Sequence, residues 1–405
     1  MKITENSNGL VDVLGFEIAG VSCDIRNKGD NRLDMALVHS KVPAVCAGVF
    51  TTNDVRAAPV ELDKEHLKIS QTQRAIIINS GNANACTGLK GMDDAQDMCA
   101  LVADKLGVLA SEVLVCSTGR IGELMPMAKI EKGISEAVAN LNSTQEEGDK
   151  AARAILTSDT RKKTISIEVE HEGKAFHLSA MAKGAGMIEP NMATMLAFIA
   201  TDADISKDLL KKTLSRAVEM TFNCISVDGD MSTNDTVLVM ANAMSGVKIC
   251  ECDAQLVDKF AKALEKICAH LAKLIVGDGE RITKVVQINI NNAASQEQAK
   301  KVAKSIANSL LVKSSWYGSD PNWGRLADAA GYARTGIDFD KMDIYYNDVV
   351  AIQAGSVFAD NKPQWKEVVA NKEFTININL NLGEESWTVL STDLSEAYVD
   401  FNKAE

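Results

Sequence analysis

Apolar positions along the chain switch repeatedly between a spacing of two and a spacing of three to four, the pattern of a mixed chain in which strands and helices interleave. Ala75–Asn79 (AIIIN) and Val113–Cys116 are short apolar runs bounded by turn residues, and the spacing between them is helical from about Asp93 to Leu106. Strand, helix, strand is the expected order there. Ile165, Ile167 and Val169 alternate with polar residues, His171-Glu172-Gly173 supplies a turn, and Phe176, Leu178 and Ala180 alternate again, which predicts a β-hairpin. Phe374, Ile376, Ile378, Leu380 and Leu382 form a cleaner alternation with Thr and Asn on the opposite face. Both sets predict sheets with one polar face turned outward.

Beyond residue 200, helices are expected at roughly 206–220, 254–275 and 296–308, alternating with strands at roughly 235–241, 284–290 and 309–315. Leu256, Phe260, Leu264, Ile267, Leu271 and Leu274 make one apolar stripe, so the longest helix should pack on a sheet. Helices laid over one face of largely antiparallel sheets predict a layered α/β or α+β sandwich, not a barrel.

Composition narrows the functional classes. Of 405 residues, 46 % are hydrophobic and 24 % charged, the balance of a folded globular protein. A net charge of −12 disfavours general nucleic-acid binding, and no local basic patch overrides it. Met1–Val11 lacks the apolar region of a signal peptide, and no stretch approaches the ~18 apolar residues of a membrane span. The expected location is the cytosol, with no membrane partner. Nine scattered Cys without a C-x-x-C indicate neither a disulfide framework nor a zinc ribbon, although Cys250-Glu-Cys252 could in principle hold a metal.

Several familiar signatures fail at defined positions. Gly184-x-Gly186 would need Gly where Glu189 stands to be a dinucleotide fingerprint. Asp228-x-Asp230 opens like a calcium loop but then carries Thr233 and Val239 where Gly and Glu are required. The five His have no metal-binding spacing, so a nucleophile would need a base other than His.

The densest polar cluster in an apolar context is Lys183-Gly-Ala-Gly-Met-Ile-Glu-Pro-Asn-Met-Ala-Thr194-Met-Leu. Thr194 sits where a loop enters the buried strand expected at Met195–Ile199. It is either a β-branched residue starting that strand or a nucleophile that becomes N-terminal. In the second case its own α-amine, with a pKa of about 7.7–8.0, supplies the missing base. Cys116-Ser-Thr118-Gly119 is either a glycine turn or a pair of donors for an oxyanion. Asn79–Gly88, rich in small polar residues, reads as a loop that either turns the chain or closes round a reacting centre.

Together these segments closely resemble the ornithine acetyltransferase family, the glutamate N-acetyltransferases of the cyclic arginine pathway. The likeness runs nearly end to end: FTTN at 50–53, AAPV at 57–60, NSGNANACTG at 79–88, STGRIG at 117–122, KGAGMIEPNMATML at 183–196, SVDGDMSTND at 226–235, GDGE at 277–280 and GSDPNWGR at 318–325. The resemblance implies an αββα sandwich of the aminopeptidase-like type with an N-terminal-nucleophile mechanism. It implies self-cleavage between Ala193 and Thr194, giving chains 1–193 and 194–405 that form one catalytic unit. Thr194 is then the nucleophile, Thr118 and Gly119 the oxyanion hole, and Thr157, Lys183, Thr194, Glu280 and Asn402 the substrate contacts. Lys183 can meet a carboxylate and Glu280 an ammonium, and both groups occur in amino-acid substrates.

The implied reaction is ping-pong transfer of acetyl from N2-acetylornithine to glutamate, without a metal or a bound cofactor. Some family members also take acetyl-CoA as donor. The implied assembly is α2β2. A self-processing aminopeptidase or amidase with water as acceptor is the alternative. One departure from the family pattern concerns the pocket lip, where Arg281-Ile282 stands in place of the usual Gly-Ala before Thr283-Lys284.

Overall fold

The computed structural model describes residues 1–189 and 195–403. They form two compact units: Met1–Gly184, 195–223 and Met231–Ile275 make the first, and Ala185–Glu189, Cys224–Asp230 and 276–403 the second.

In the first unit the strands are β1 (Lys2–Glu5), β2 (Phe16–Val21), β3 (Met35–Phe50), β4 (Gln73–Asn82), β5 (Val113–Arg120), β6 (Lys163–His171), β7 (Lys174–Lys183), β8 (Leu196–Thr201), β9 (Asp204–Ile205), β10 (Thr236–Ala241) and β11 (Lys248–Ile249). Its helices are α1 (Ala58–Ile69), α2 (Gly88–Leu106), α3 (Met127–Asn140), α4 (Gln145–Ala154), α5 (Lys207–Glu219) and α6 (Ala254–Val276). The long strand β3 belongs to two sheets. Its first half pairs with β2 and β4, its second half with β10, and the register breaks between His39 and Ala44, where Pro43 interrupts the ladder.

One sheet thus runs β1-β6-β7-β8-β10-β3 and the other takes in β2, β3, β4 and β5. Apolar residues of the two sheets meet in one buried layer, with Val38, Ile76, Ile78 and Leu114 from one and Met181, Phe198, Leu238 and Met240 from the other. On the outer side of the β2–β5 sheet lie α2 and α3, through Met98, Val102, Ile130 and Ile134. On the outer side of the other, α5 packs on β3, and α6 sets Phe260 against Phe176 of β7 with ring centroids 6.1 Å apart. This is the αββα sandwich that the family resemblance implies, and it refines the layered sandwich expected from the periodicity.

The predicted hairpin is β6–β7, closed by Glu172 and Gly173, both at positive φ as a two-residue primed turn demands. Its polar face is less open than expected. Ser166 and Ser179 are bonded to each other and to Asp12 and the Gly9 carbonyl, so the Gly9–Asp12 turn covers that face at the base of the hairpin.

The second unit holds β12 (Val285–Ala293), β13 (Asp343–Tyr346), β14 (Val349–Gln353), β15 (Ser356–Val357), β16 (Glu373–Asn379) and β17 (Glu385–Thr392) in the order β15-β14-β13-β16-β12-β17. Helices α7 (Gln296–Ala307), α8 (Leu310–Tyr317), α9 (Trp323–Gly331) and α10 (Lys362–Val369) bury one face of this sheet. The other face carries the expected Asn row, with Asn289 donating to Asn377 at 2.8 Å. A short helix, α11 (Glu396–Asn402), ends the described chain.

Three expectations are corrected. Residues 309–315 form a helix, not a strand: Ser309 caps it by accepting from the Val312 amide, and Val312 and Trp316 lie buried four apart while Leu310 and Leu311 face outward. Asn79–Asn82 belong to strand β4, not to a loop, because their small polar side chains are satisfied in the interior; Ser117 donates to Asn79, and Ser80 to the Ala154 carbonyl. Cys250 and Cys252 are joined as a disulfide, where no disulfide was expected.

Candidate functional site

Parallel strands β4 and β5 bring Asn79–Asn82 beside Ser117–Arg120. Strand β5 lies at the sheet edge, and side chains take the place of a neighbouring strand along it. His66 Nδ1 lies 2.7 Å from the Val113 carbonyl, Asp63 accepts the Val115 amide at 2.7 Å, and Asn234 donates to the Ser117 carbonyl at 2.9 Å. Asn234 also donates to the Ala83 carbonyl at 2.6 Å. Burial pushes the Asp63 carboxyl well above the usual range, against the opposing pull of the Val115 amide and the Cys116 thiol.

Thr118 and Gly119 stand where this braced edge reaches solvent: Thr118 is buried and Gly119 exposed. Gly119 has φ of 131°, and a Cβ there would lie 2.4 Å from the carbonyl carbon of Gly81, so only glycine fits the close β4–β5 approach.

At the end of β7, Lys183 is 3 % exposed. Its ammonium donates to Thr157 Oγ1 at 2.7 Å and Thr118 Oγ1 at 3.4 Å. Because the Thr118 oxygen accepts from Lys183, its own proton is available to donate. Asp159, whose side chain is fully buried, accepts from the Lys163 ammonium at 2.6 Å, the Gly184 amide at 2.7 Å and the Thr157 amide at 3.1 Å, with Lys183 Nζ 3.9 Å away. Burial alone would raise the Asp159 carboxyl, but the Lys183 and Lys163 charges and these hydrogen bonds hold it well below the usual carboxylate range. Arg32 fastens the same segment by donating to the Leu156 and Thr157 carbonyls at 2.7 and 2.6 Å.

In the second unit Asp228 organises Ala185–Glu189, accepting the Met187 and Ile188 amides at 2.6 and 2.7 Å and the Tyr398 hydroxyl at 3.3 Å. The Glu280 amide donates to the Ala185 carbonyl at 2.9 Å. Gly186 faces the Glu280 side chain so closely that a Cβ would lie 2.3 Å from its carboxyl carbon. Asn402 on α11 donates to Glu280 Oε2 at 3.4 Å. Arg281, where the family usually has glycine, adopts φ of 56° and lays its guanidinium 4.9 Å from the Phe401 ring centre. The backbone there is left-handed, a conformation that favours glycine, and the side chain ties this segment to α11.

Of the residues singled out in the sequence, Thr118, Gly119, Thr157 and Lys183 come together in the first unit, and Glu280 and Asn402 in the second. Ala193 and Thr194 lie outside the described residues. Sequence reading missed Asp159, Asp228 and Asn234. Asp159 follows Thr157 by two positions in a polar stretch with no periodicity to mark it, while Asp228 and Asn234 lie within SVDGDMSTND, a motif whose side-chain roles depend on partners far away in the chain. Among the described residues no group of three or more His, Cys, Asp or Glu is arranged to hold a metal, and no helix is long and apolar enough to cross a membrane.

A braced threonine–glycine pair can donate to a developing oxyanion, and a buried lysine ammonium can meet a carboxylate. The chain belongs to the ArgJ family, whose model matches residues 17–404. It is 45 % identical over 394 residues to the arginine biosynthesis bifunctional protein ArgJ of Geobacter sulfurreducens, covering 97 % of this chain and 99 % of that protein. To the ArgJ of Caldanaerobacter subterraneus it is 46 % identical over 392 residues, covering 96 % of each. The crystal structure of a Bacillus halodurans ArgJ shares 35 % identity with a TM-score of 0.44, spanning 48 % of this chain and 98 % of that one. The protein is an acyltransferase, and its family places it in acetyl transfer in arginine biosynthesis.

Proposed function

We propose that the protein transfers the acetyl group of N2-acetyl-L-ornithine to L-glutamate through an acetyl ester on Thr194, and that self-cleavage at Ala193/Thr194 creates the active form. Thr194 Oγ attacks the Ala193 carbonyl and gives up its proton, the peptide C–N bond breaks as the departing nitrogen takes that proton to become the α-amine, and water hydrolyses the resulting ester to the Ala193 carboxylate and the free Thr194 hydroxyl. The freed α-amine then takes the Oγ proton as Oγ attacks the acetyl carbonyl of acetylornithine. Thr118 and Gly119 donate to the oxyanion, ornithine leaves with the transferred proton, and the glutamate amine attacks the ester to release N-acetylglutamate. Lys183 and Thr157 serve the substrate's carboxylate, Glu280 and Asn402 its ammonium. Acetyl-CoA as a second donor and an α2β2 assembly belong to the same reading.

The observation that carries this reading is the Lys183 ammonium, buried between the Thr157 and Thr118 hydroxyls in a chain matched along its length by the family. Strand β8, which begins at Leu196, pairs with β7, so strands from both products would remain neighbours in one sheet after a cut at 193/194. The test is intact mass under denaturing conditions, native mass, and transfer to glutamate from acetylornithine and then from acetyl-CoA. Chains 1–193 and 194–405 with transfer from acetylornithine are expected, and Thr194→Ala should abolish both. An uncut Thr194→Ala chain with full activity would sink the mechanism; acetyl release without glutamate would make water the acceptor.

A further inference from the structure

The residue after position 194 is gripped from both sides. The Met195 amide donates to Asp235 Oδ1 at 2.7 Å, and the Met195 carbonyl accepts from the Thr236 amide at 3.1 Å. A peptide unit is planar, so the N–H of Met195 and the carbonyl of residue 194 form one rigid group. Whatever holds that N–H restrains the peptide bond through which Met195 is joined to the chain before it.

The grip is made by an unusual group. Asp235 is completely buried, and its second oxygen, Oδ2, has no hydrogen-bond partner. Leaving a buried polar atom unpaired is costly. Burial pushes the carboxyl well above the usual range, outweighing the Met195 amide and the Lys183 charge, which favours the protonated acid. A strand-flanking residue that needed only to close the ladder would not require a buried carboxyl with one oxygen idle. The placement makes sense if the amide of Met195 must be held in one orientation.

We propose that Asp235 is a positioning residue for the nucleophile, its carboxyl anchoring the amide of Met195, the residue bonded directly to position 194, through both cleavage and acyl transfer. This rests on the reading that Thr194 is the nucleophile.

Asp235→Asn keeps an oxygen that accepts the Met195 amide, whereas Asp235→Ala removes it. Each is compared with the wild type by intact mass during maturation, by steady-state transfer from acetylornithine to glutamate, and by thermal unfolding. The Ala variant should slow cleavage and lower kcat by about 100-fold or more while KM stays within about threefold, because a misplaced nucleophile affects the chemical step. The Asn variant should stay within about tenfold of the wild type in both rates, since the hydrogen bond survives. If the Ala variant does not fold, Asp235→Glu replaces it: one extra methylene displaces the acceptor and should slow cleavage in a folded protein. Wild-type rates in the Ala or Glu variant, or an Asn variant as impaired as they are, overturn the inference alone. A wild-type chain that neither cuts nor transfers overturns the proposed function and the inference with it.

Discussion

The Gly184 amide donates to Asp159 Oδ1 over 2.7 Å, tying the end of β7 to a carboxylate that also receives the Lys163 ammonium. That carboxylate is the countercharge for two lysines buried to 3 % exposure or less. Asp159→Asn preserves shape but removes the charge, and breaking a buried ion pair in this way costs about 3–5 kcal/mol. The wild-type Asp159 carboxyl is held below its ordinary value of 3.8, so its contribution is fully present above that value and is lost as pH falls below it. Urea unfolding at pH 7 should show the large loss in Asp159→Asn, and the gap between the two proteins should narrow as pH falls below about 4. Equal stability at pH 7 would count against the pairing.

Asn234 joins two carbonyls from different segments, those of Ala83 and Ser117. Asn234→Ala leaves both without its donor, at about 1–3 kcal/mol for each that stays buried and unpaired. Because Ser117 precedes Thr118, Thr118 should shift as well, and if it donates to the oxyanion as proposed, kcat for transfer should fall on the order of 100-fold. Asn234→Asp has the same shape but only acceptors when ionised, so it should lose as much. Calorimetry and initial rates on both variants check this; an Asp variant that behaves like the wild type would rule out donation as the role.

The alternation in β6 and β7 and the stripe of α6 were legible because both elements bury one face, and burial imposes its period on the sequence. The Glu172–Gly173 turn was legible because the register leaves two positions for positive φ. What was hidden depends on partners distant in the chain. Asn79–Asn82 resemble a loop until Ser117 and the Ala154 carbonyl supply hydrogen bonds that make a buried polar strand tolerable. The Leu310–Leu311–Val312 run looks like a strand, but two of its three apolar residues face outward and the Ser309 cap decides for a helix. Thr194, Thr118 and Gly119 were singled out by local pattern, whereas Thr157, Glu280 and Asn402 were named by motif resemblance alone; their neighbours Asp159, Asp228 and Asn234 needed three dimensions.

Gly186 and Glu280 give a prediction in which function and stability separate. Gly186 is not at positive φ, so alanine is tolerated by the backbone, yet its Cβ would lie 2.3–2.5 Å from the Glu280 carboxyl atoms. A carboxylate at the end of a flexible side chain can move aside at little cost. Gly186→Ala should therefore unfold within about 0.5 kcal/mol of the wild type. Glu280 would be displaced, and if it meets the substrate's ammonium as proposed, KM should rise on the order of 10-fold. Steady-state kinetics beside a thermal melt distinguish this outcome from a packing defect, which would lower the melting point first.

Lys313 supplies a pH signature in the second unit. Its ammonium is buried and donates to the Thr392 carbonyl at 2.6 Å, to Thr392 Oγ1 at 3.1 Å and to Ser391 Oγ at 3.3 Å. Burial lowers its pKa from 10.5 to about 7, with Asp228 and Asp393 opposing the shift. Between those two values the unfolded chain holds a proton that the folded chain has released, so stability contributed by this group rises with pH across the window and is flat outside it. The slope is at most about 1.4 kcal/mol per pH unit for one proton. Lys313→Met removes the titration while leaving three acceptors unserved, so the variant should be less stable throughout. Its deficit relative to the wild type should widen as pH is raised from 7 towards 10, because only the wild type gains from losing the buried charge. Urea unfolding of both proteins at several pH values measures that difference, and a deficit independent of pH would mean that Lys313 stays charged in the fold.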